Sequence, residues 1–161
     1  KKVLKETKSD AVKLEGGSSI INIIEHLIKN KIPVMGHLGI LPQSVKGKFK
    51  FKGKKNSERN KIFNDAKLLE KIGVFSIVLE CVESTLAKQI SKKLKIPTIG
   101  IGSSKFCDGQ ILVIDDLIGL NDTKVRFVKK FGQIKKNISN AAKNFSKEVK
   151  NKKYPSKKYS Y

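Results

Sequence analysis

The sequence predicts an α/β chain built as a parallel β/α barrel. Three observations lead there. Five short apolar runs each end on a polar residue or a glycine. Helical periodicity fills the stretches between the first four. Ionisable side chains stand where the runs end, and a barrel of this kind carries its reactive groups at the carboxyl ends of its strands.

The elements follow in order. Ala11–Leu14 forms the first strand and runs into Glu15. Gly16-Gly17 makes a turn, and Ser18 or Ser19 is placed to cap a helix. That helix carries Ile20, Ile24, Leu27 and Ile28 on one stripe. Pro33–Met35 forms the second strand and ends at Gly36 and His37. Gly39 to about Asn60 is read as a long lysine- and glycine-rich connection, of a length usually tied to function. The next helix turns Ile62, Ala66, Leu69 and Ile72 inward, and Gly73 stops it. Phe75–Leu79 is the third strand, ending on Glu80. Ser84 is placed as the cap of a helix that buries Leu86, Ala87, Ile90 and Leu94. Pro97–Ile101 is the fourth strand, and Gln110–Ile114, ending on Asp115 and Asp116, the fifth. A short helix is expected from Asp122 or Thr123 through Phe131, broken by Gly132. A longer amphipathic helix follows, with Ile134, Ile138, Ala141, Phe145 and Val149 on its apolar side. The basic, aromatic tail 151–161 is expected on the surface.

Length and composition bound the function. The 161 residues suffice for one domain, residues 1–161, with a sizeable core. A whole barrel takes about 250 residues. Only five strands are counted, and Met35, the one methionine, lies inside an apolar run. The chain is therefore read as a fragment of a barrel lacking its amino-terminal part, ahead of the alternative of a smaller, complete α/β domain matured by proteolysis. The formal net charge of +21 raises the question of a nucleic-acid partner. Arg59 and Arg126 are the only arginines, the lysines are spread throughout, and no nucleic-acid motif occurs. A solvated lysine-rich surface is the better reading, and its field would favour an anionic small substrate. Cys81 and Cys107 form no metal-ligand spacing, which fits a reduced, cytoplasmic setting. No apolar run approaches the ~20 residues that span a bilayer.

Side-chain parity sharpens the site. Residues two apart in a strand point the same way. Lys13 and Glu15 therefore share a face opposite Val12 and Leu14, and Glu80 shares one with Ser76 and Val78. If the bulkier apolar set meets the helices, Lys13, Glu15 and Glu80 point into the barrel mouth. Ionisable groups so placed are costly unless paired or used.

Each motif has an ordinary reading when taken alone. Lys13-Leu14-Glu15-Gly16-Gly17 could be a strand end with a solvated ion pair, and His37 between Gly36 and Leu38 a satisfied turn histidine. Gly100-Ile101-Gly102 could be a tight turn, as could Asp108-Gly109. Their order changes this. Val12–Gly17, Pro33–Gly39, Pro42-Gln43-Ser44, Val78–Val82, Ile96–Gly102 and Cys107–Val113 together closely resemble the ketopantoate hydroxymethyltransferase family, across essentially the whole chain. The ending Tyr154-Pro155-Ser156 with Ser160-Tyr161 is similar too.

The resemblance implies a (β/α)8 TIM barrel of the phosphoenolpyruvate/pyruvate superfamily type, here strands four to eight with carboxyl-terminal helices. It implies transfer of a hydroxymethyl group from 5,10-methylenetetrahydrofolate to 3-methyl-2-oxobutanoate, giving ketopantoate in pantothenate biosynthesis through a Mg²⁺-stabilised enolate. It implies Glu15 as a Mg²⁺ ligand, Lys13 and His37 as substrate contacts and Glu80 as the proton acceptor. Two further metal-binding aspartates of the family would lie upstream of Lys1. It also implies a large homo-oligomer, a decamer. The chemistry suits the residue types: a hard cation takes oxygen ligands, and a carboxylate base needs a raised pKa. There are departures. Gly102-Ser103-Ser104 stands where the family usually has Gly-Ala-Gly, Leu41 replaces a usual threonine, and Lys46–Lys54 is shorter and more basic than its counterpart. The alternatives are another lyase or mutase of that superfamily, and a basic nucleic-acid-binding protein without catalysis.

Overall fold

A computed structural model of the chain describes residues 2–43 and 50–161. Two compact units, residues 1–111 and 112–161, are taken separately.

The first unit is a five-stranded, wholly parallel sheet in the order β1-β2-β3-β4-β5. Its strands are β1 (Val12–Glu15), β2 (Val34–Gly39), β3 (Ser76–Glu80), β4 (Thr98–Ile101) and β5 (Gly109–Gln110). Helix α1 (Lys2–Thr7) precedes them, with Lys2 and Glu6 one turn apart. Helices α2 (Ile21–Lys29), α3 (Asn56–Lys71) and α4 (Ser84–Lys93) make the crossovers. A parallel sheet needs such crossovers, because adjacent strands run the same way.

Parity sorts the sheet as expected. Val34, Leu38, Ile77 and Leu79 pack with Ile24 of α2, Ala66 and Leu69 of α3, and Leu86 and Ile90 of α4 in one buried cluster. Gly36 allows this approach: a Cβ there would lie 2.9 Å from a Leu69 methyl. The opposite face carries Lys13 and Glu15 on β1, His37 on β2 and Glu80 on β3. The register places Glu15 beside His37 and Gly39 beside Glu80.

Several expectations are corrected. The cap of α4 is Glu83, not Ser84, and its carboxylate accepts the Thr85 and Leu86 N–H groups. Neither Ser18 nor Ser19 caps α2. Ser18–Ile20 form a 3-10 turn without a side-chain cap of its own. The third helix begins at Asn56, so the connection from Gly39 is shorter than read. Its basic part falls partly on residues 44–49, outside the described residues, as does Ser44.

The fifth strand is two residues long, not Gln110–Ile114. Ile111 and Val113 are exposed, and Ile114–Leu117 form helix α5, the first element of the second unit. Asp115 and Asp116 lie in its first turn, where the helix dipole favours acids. The helix expected over residues 122–131 does not form; only a turn joins Val128 N–H to the Val125 carbonyl. Val125 and Phe131 are exposed, and a helix that short needs a packed face to persist. Instead Phe131 and Gly132 donate to the Leu117 carbonyl, folding this strap onto α5. Gly119, at φ 72°, permits the approach, since a Cβ there would stand 2.3 Å from the Gly132 carbonyl oxygen. Helix α6 (Ile134–Lys150) follows as expected, with its apolar stripe exposed. The tail is exposed, and Tyr154 meets Phe145 edge-on with ring centroids 5.4 Å apart.

Candidate active site

The site forms where β1, β2 and β3 end. His37 is 1% exposed and sits between two carboxylates. Its Nε2 lies 3.1 Å from Glu80 Oε2, and its Nδ1 lies 3.7 Å from Glu15 Oε1. Among the described residues neither ring nitrogen has a hydrogen bond of good geometry. Buried polar atoms are normally paired. The buried His37 ring therefore meets its two acids as close charge contacts rather than as well-formed hydrogen bonds.

Local backbone fixes each acid. Glu15 closes β1, and the next residue, Gly16, donates its N–H to the His37 carbonyl at 3.0 Å. Glu15 Oε2 accepts the Gln43 N–H at 3.1 Å, so the chain leaving β2 returns to the carboxylate. Glu80 closes β3, and its carbonyl accepts the Ile40 N–H at 2.9 Å. Gly39, at φ 101°, makes that bond possible, because a Cβ there would lie 2.1 Å from the Glu80 carbonyl oxygen. After Glu80 the chain turns sharply. Cys81 takes φ 49°, unusual for a non-glycine residue. Three hydrogen bonds hold it there: Cys81 N–H to the Ile101 carbonyl, Lys52 N–H to the Cys81 carbonyl, and Val82 N–H to Ser103 Oγ. Ser103 Oγ in turn donates to the Leu79 carbonyl at 2.6 Å.

The electrostatics divide the roles. Burial pushes the Glu80 pKa up; the Lys13 charge opposes this and the Glu15 charge adds to it. Burial pulls the His37 pKa down, Lys13 lowers it further, and Glu15 and the Ile40 carbonyl partly offset both. Burial thus disfavours the charged form of both groups, the imidazolium of His37 and the carboxylate of Glu80. Burial, then Glu80, pushes the Cys81 thiol up to about 11, which leaves it protonated and unreactive at neutral pH.

All four residues singled out in the sequence are on this face. Lys13 is exposed and acts on Glu80 and His37 through its charge. Glu15, His37 and Glu80 come within contact distance. Sequence reasoning missed Gln43 N–H, the Ser103 bridge and Asp65, whose carboxylate meets the turn after Glu15. Ser103 could have been found, because it stands at a noted departure. Gln43 stood in a quoted motif, but its backbone contact with Glu15 could not be read from it, and Asp65 gave no signal, since these contacts join distant segments. For a metal, Glu15 offers the oxygen donor a hard cation takes. Among the described residues, however, no three His, Cys, Asp or Glu side chains are grouped to hold one. Glu15 thus fits Mg²⁺ in kind, as one member of a set.

A lysine, a histidine and two glutamates on one face of a parallel sheet, towards the carboxyl ends of its strands, define an α/β protein with a cluster of ionisable side chains as its candidate site. The chain belongs to the ketopantoate hydroxymethyltransferase family, whose model matches residues 1–157. It is similar to proteins named 3-methyl-2-oxobutanoate hydroxymethyltransferase. The Pelagibacter ubique protein is 63% identical over 161 residues, covering 100% of this chain and 62% of that protein. A Clostridium botulinum protein is 48% identical, covering 98% and 58%. The Pseudothermotoga lettingae protein is 49% identical over 155 residues, covering 94% and 58%. The chain thus spans about three fifths of the length of these curated relatives.

Proposed function

We propose that this chain is the carboxyl-terminal part, strands four to eight, of a (β/α)8 barrel enzyme. The enzyme transfers a hydroxymethyl group from 5,10-methylenetetrahydrofolate to 3-methyl-2-oxobutanoate. The observation that carries the proposal is the buried His37 ring held between Glu15 and Glu80. Family membership and the names of the relatives support the substrate class.

Each residue has a separate task. Lys13 neutralises the carboxylate of the oxo acid. Glu15 contributes an oxygen to Mg²⁺, which when bound supplies Lewis-acid polarisation of the 2-oxo group. His37, neutral, orients an oxygen of substrate or product through a ring nitrogen. Glu80 takes the proton from C3, which its raised pKa suits. C3 then bonds to the one-carbon unit, whose two bonds to folate nitrogens break; water supplies the hydroxyl oxygen, the folate nitrogens take up the protons released, and tetrahydrofolate leaves. The Cys81 turn and the Gly39 contact keep the Glu80 backbone fixed while this happens. The two buried, free cysteines suit a reduced cytoplasmic compartment, and a single-domain protomer in a homo-oligomer completes the reading. No described helix is long and apolar enough to cross a membrane.

The test is product formation by the complete enzyme. Ketopantoate should form only when methylenetetrahydrofolate and 3-methyl-2-oxobutanoate are both supplied. Turnover of the oxo acid without the folate would instead assign a lyase or mutase of the same superfamily.

A further inference from the structure

The turn that follows Glu15 is clamped by an acid outside the reaction chemistry. Asp65 lies on α3 and is only 8% exposed. Its Oδ1 accepts the Ser18 N–H at 3.2 Å, and its Oδ2 pairs with Lys61 Nζ at 2.9 Å. Lys61 also donates to Ser18 Oγ at 3.2 Å. A Cβ on Gly17 would stand 2.3 Å from Asp65 Oδ2, so the carboxylate occupies space that any side chain at position 17 would need. On the other side, Gly16 N–H is bound to the His37 carbonyl. The two residues after Glu15 are thus held between β2 and α3. A carboxylate this buried is costly unless it is used, and its neighbours Ile62, Ala66 and Leu69 show that the helix face otherwise favours apolar groups.

We propose that Asp65 is a positioning residue: it fixes the Gly16-Gly17-Ser18 turn and thereby aims the Glu15 carboxylate at its cation. The inference rests on the reading of Glu15 as a Mg²⁺ ligand. A loosened turn lets the carboxylate wander, which weakens binding of the cation and leaves the proton transfer at Glu80 untouched once the cation is bound. Supports of a ligand are typically worth about 10- to 100-fold in metal affinity.

The experiment uses the complete enzyme and four proteins: wild type, Asp65→Ala, Lys61→Met and Glu15→Gln. Mg²⁺ affinity is read by calorimetry without substrate, turnover across a Mg²⁺ titration, and backbone protection of residues 14–20 by hydrogen–deuterium exchange. Asp65→Ala should weaken Mg²⁺ about tenfold, raise the Mg²⁺ requirement with little change in saturated turnover, and speed exchange in residues 14–20. Lys61→Met removes only an exposed partner. It should fold normally and weaken Mg²⁺ about twofold, so it carries the test if Asp65→Ala does not fold. Glu15→Gln should lose Mg²⁺ binding. If Glu15→Gln loses it while Asp65→Ala and Lys61→Met bind as wild type, the positioning role is wrong and the cation reading stands. If Glu15→Gln binds Mg²⁺ normally, the cation reading falls, and unchanged protection of residues 14–20 in Asp65→Ala would remove the clamp as well.

Discussion

Burial raises the Glu80 pKa, and the sign of that shift separates a working carboxylate from a structural one. The folded pKa lies above the unfolded value, so the folded state prefers the protonated form. The stability this contributes is full below the unfolded pKa and is lost as pH rises through the folded pKa. Ionising Glu80 in the folded chain therefore carries a cost. Glu80→Gln is expected to raise the thermal unfolding midpoint, by more at pH 7.5 than at pH 5, in calorimetric scans. A lower midpoint at pH 7.5 would make Glu80 a structural group. His37 runs the other way: its depressed folded pKa gives stability that is present above the unfolded value and lost as pH falls. Glu83 behaves as a structural acid. Hydrogen bonds from the Thr85 side chain and N–H, aided by Arg59, hold its pKa down to about 2. Its contribution is present above the ordinary carboxylate value and is lost as pH falls towards about 2. Glu83→Ala should cost about 0.5–2 kcal/mol at pH 7, as lost caps do. The loss should shrink as pH falls through that window in denaturant titrations.

Strands and helices place these residues through a few close approaches. Gly39 is the clearest, since both its φ of 101° and its contact with the Glu80 carbonyl exclude a side chain. Gly39→Ala should destabilise the chain by about 1–3 kcal/mol, as overpacking does. It should also cut turnover more than a comparable core change such as Leu69→Ala, which acts on the far face of the sheet. Equal loss of turnover at equal stability in the two variants would count against a special role for the Gly39–Glu80 contact. At this scale the sequence was legible wherever periodicity met burial. The inward stripes of α2, α3 and α4, and the parity of Lys13, Glu15 and Glu80, follow from spacing alone. What it did not show were features set by contacts distant in the chain. Gln110–Ile114 has the apolar pattern of a strand, yet among the described residues the pairing ends once the Ile111 N–H has reached the Gly100 carbonyl, and α5 begins at Ile114. Residues 122–131 have helical spacing but little buried surface to stabilise a helix. Glu83 rather than Ser84 is the cap because the helix begins at Ser84, and the Glu83 carboxylate accepts the amides two and three residues further on.

Across the whole molecule, parallel strand order is what turns separate motifs into a site. Three strand ends lie side by side, and their register sets Glu15 against His37 and Glu80 next to Gly39. Charge has a lesser part: among the described residues Lys13 is the cation that acts on both His37 and Glu80, and the net +21 would favour the anionic oxo acid of the proposed reaction. The motif order also carried the family resemblance, and the family match over residues 1–157 agrees with it. The central claim is that Glu80 removes the C3 proton of a 2-oxo acid bound at this site. The direct measurement is loss of the C3 proton signal of 3-methyl-2-oxobutanoate in deuterated water, followed by NMR with the complete enzyme and no folate. Wild type should exchange the proton, and Glu80→Gln should bind the acid with similar affinity while exchanging it at least about a hundredfold more slowly. Exchange at the wild-type rate in Glu80→Gln would contradict the account.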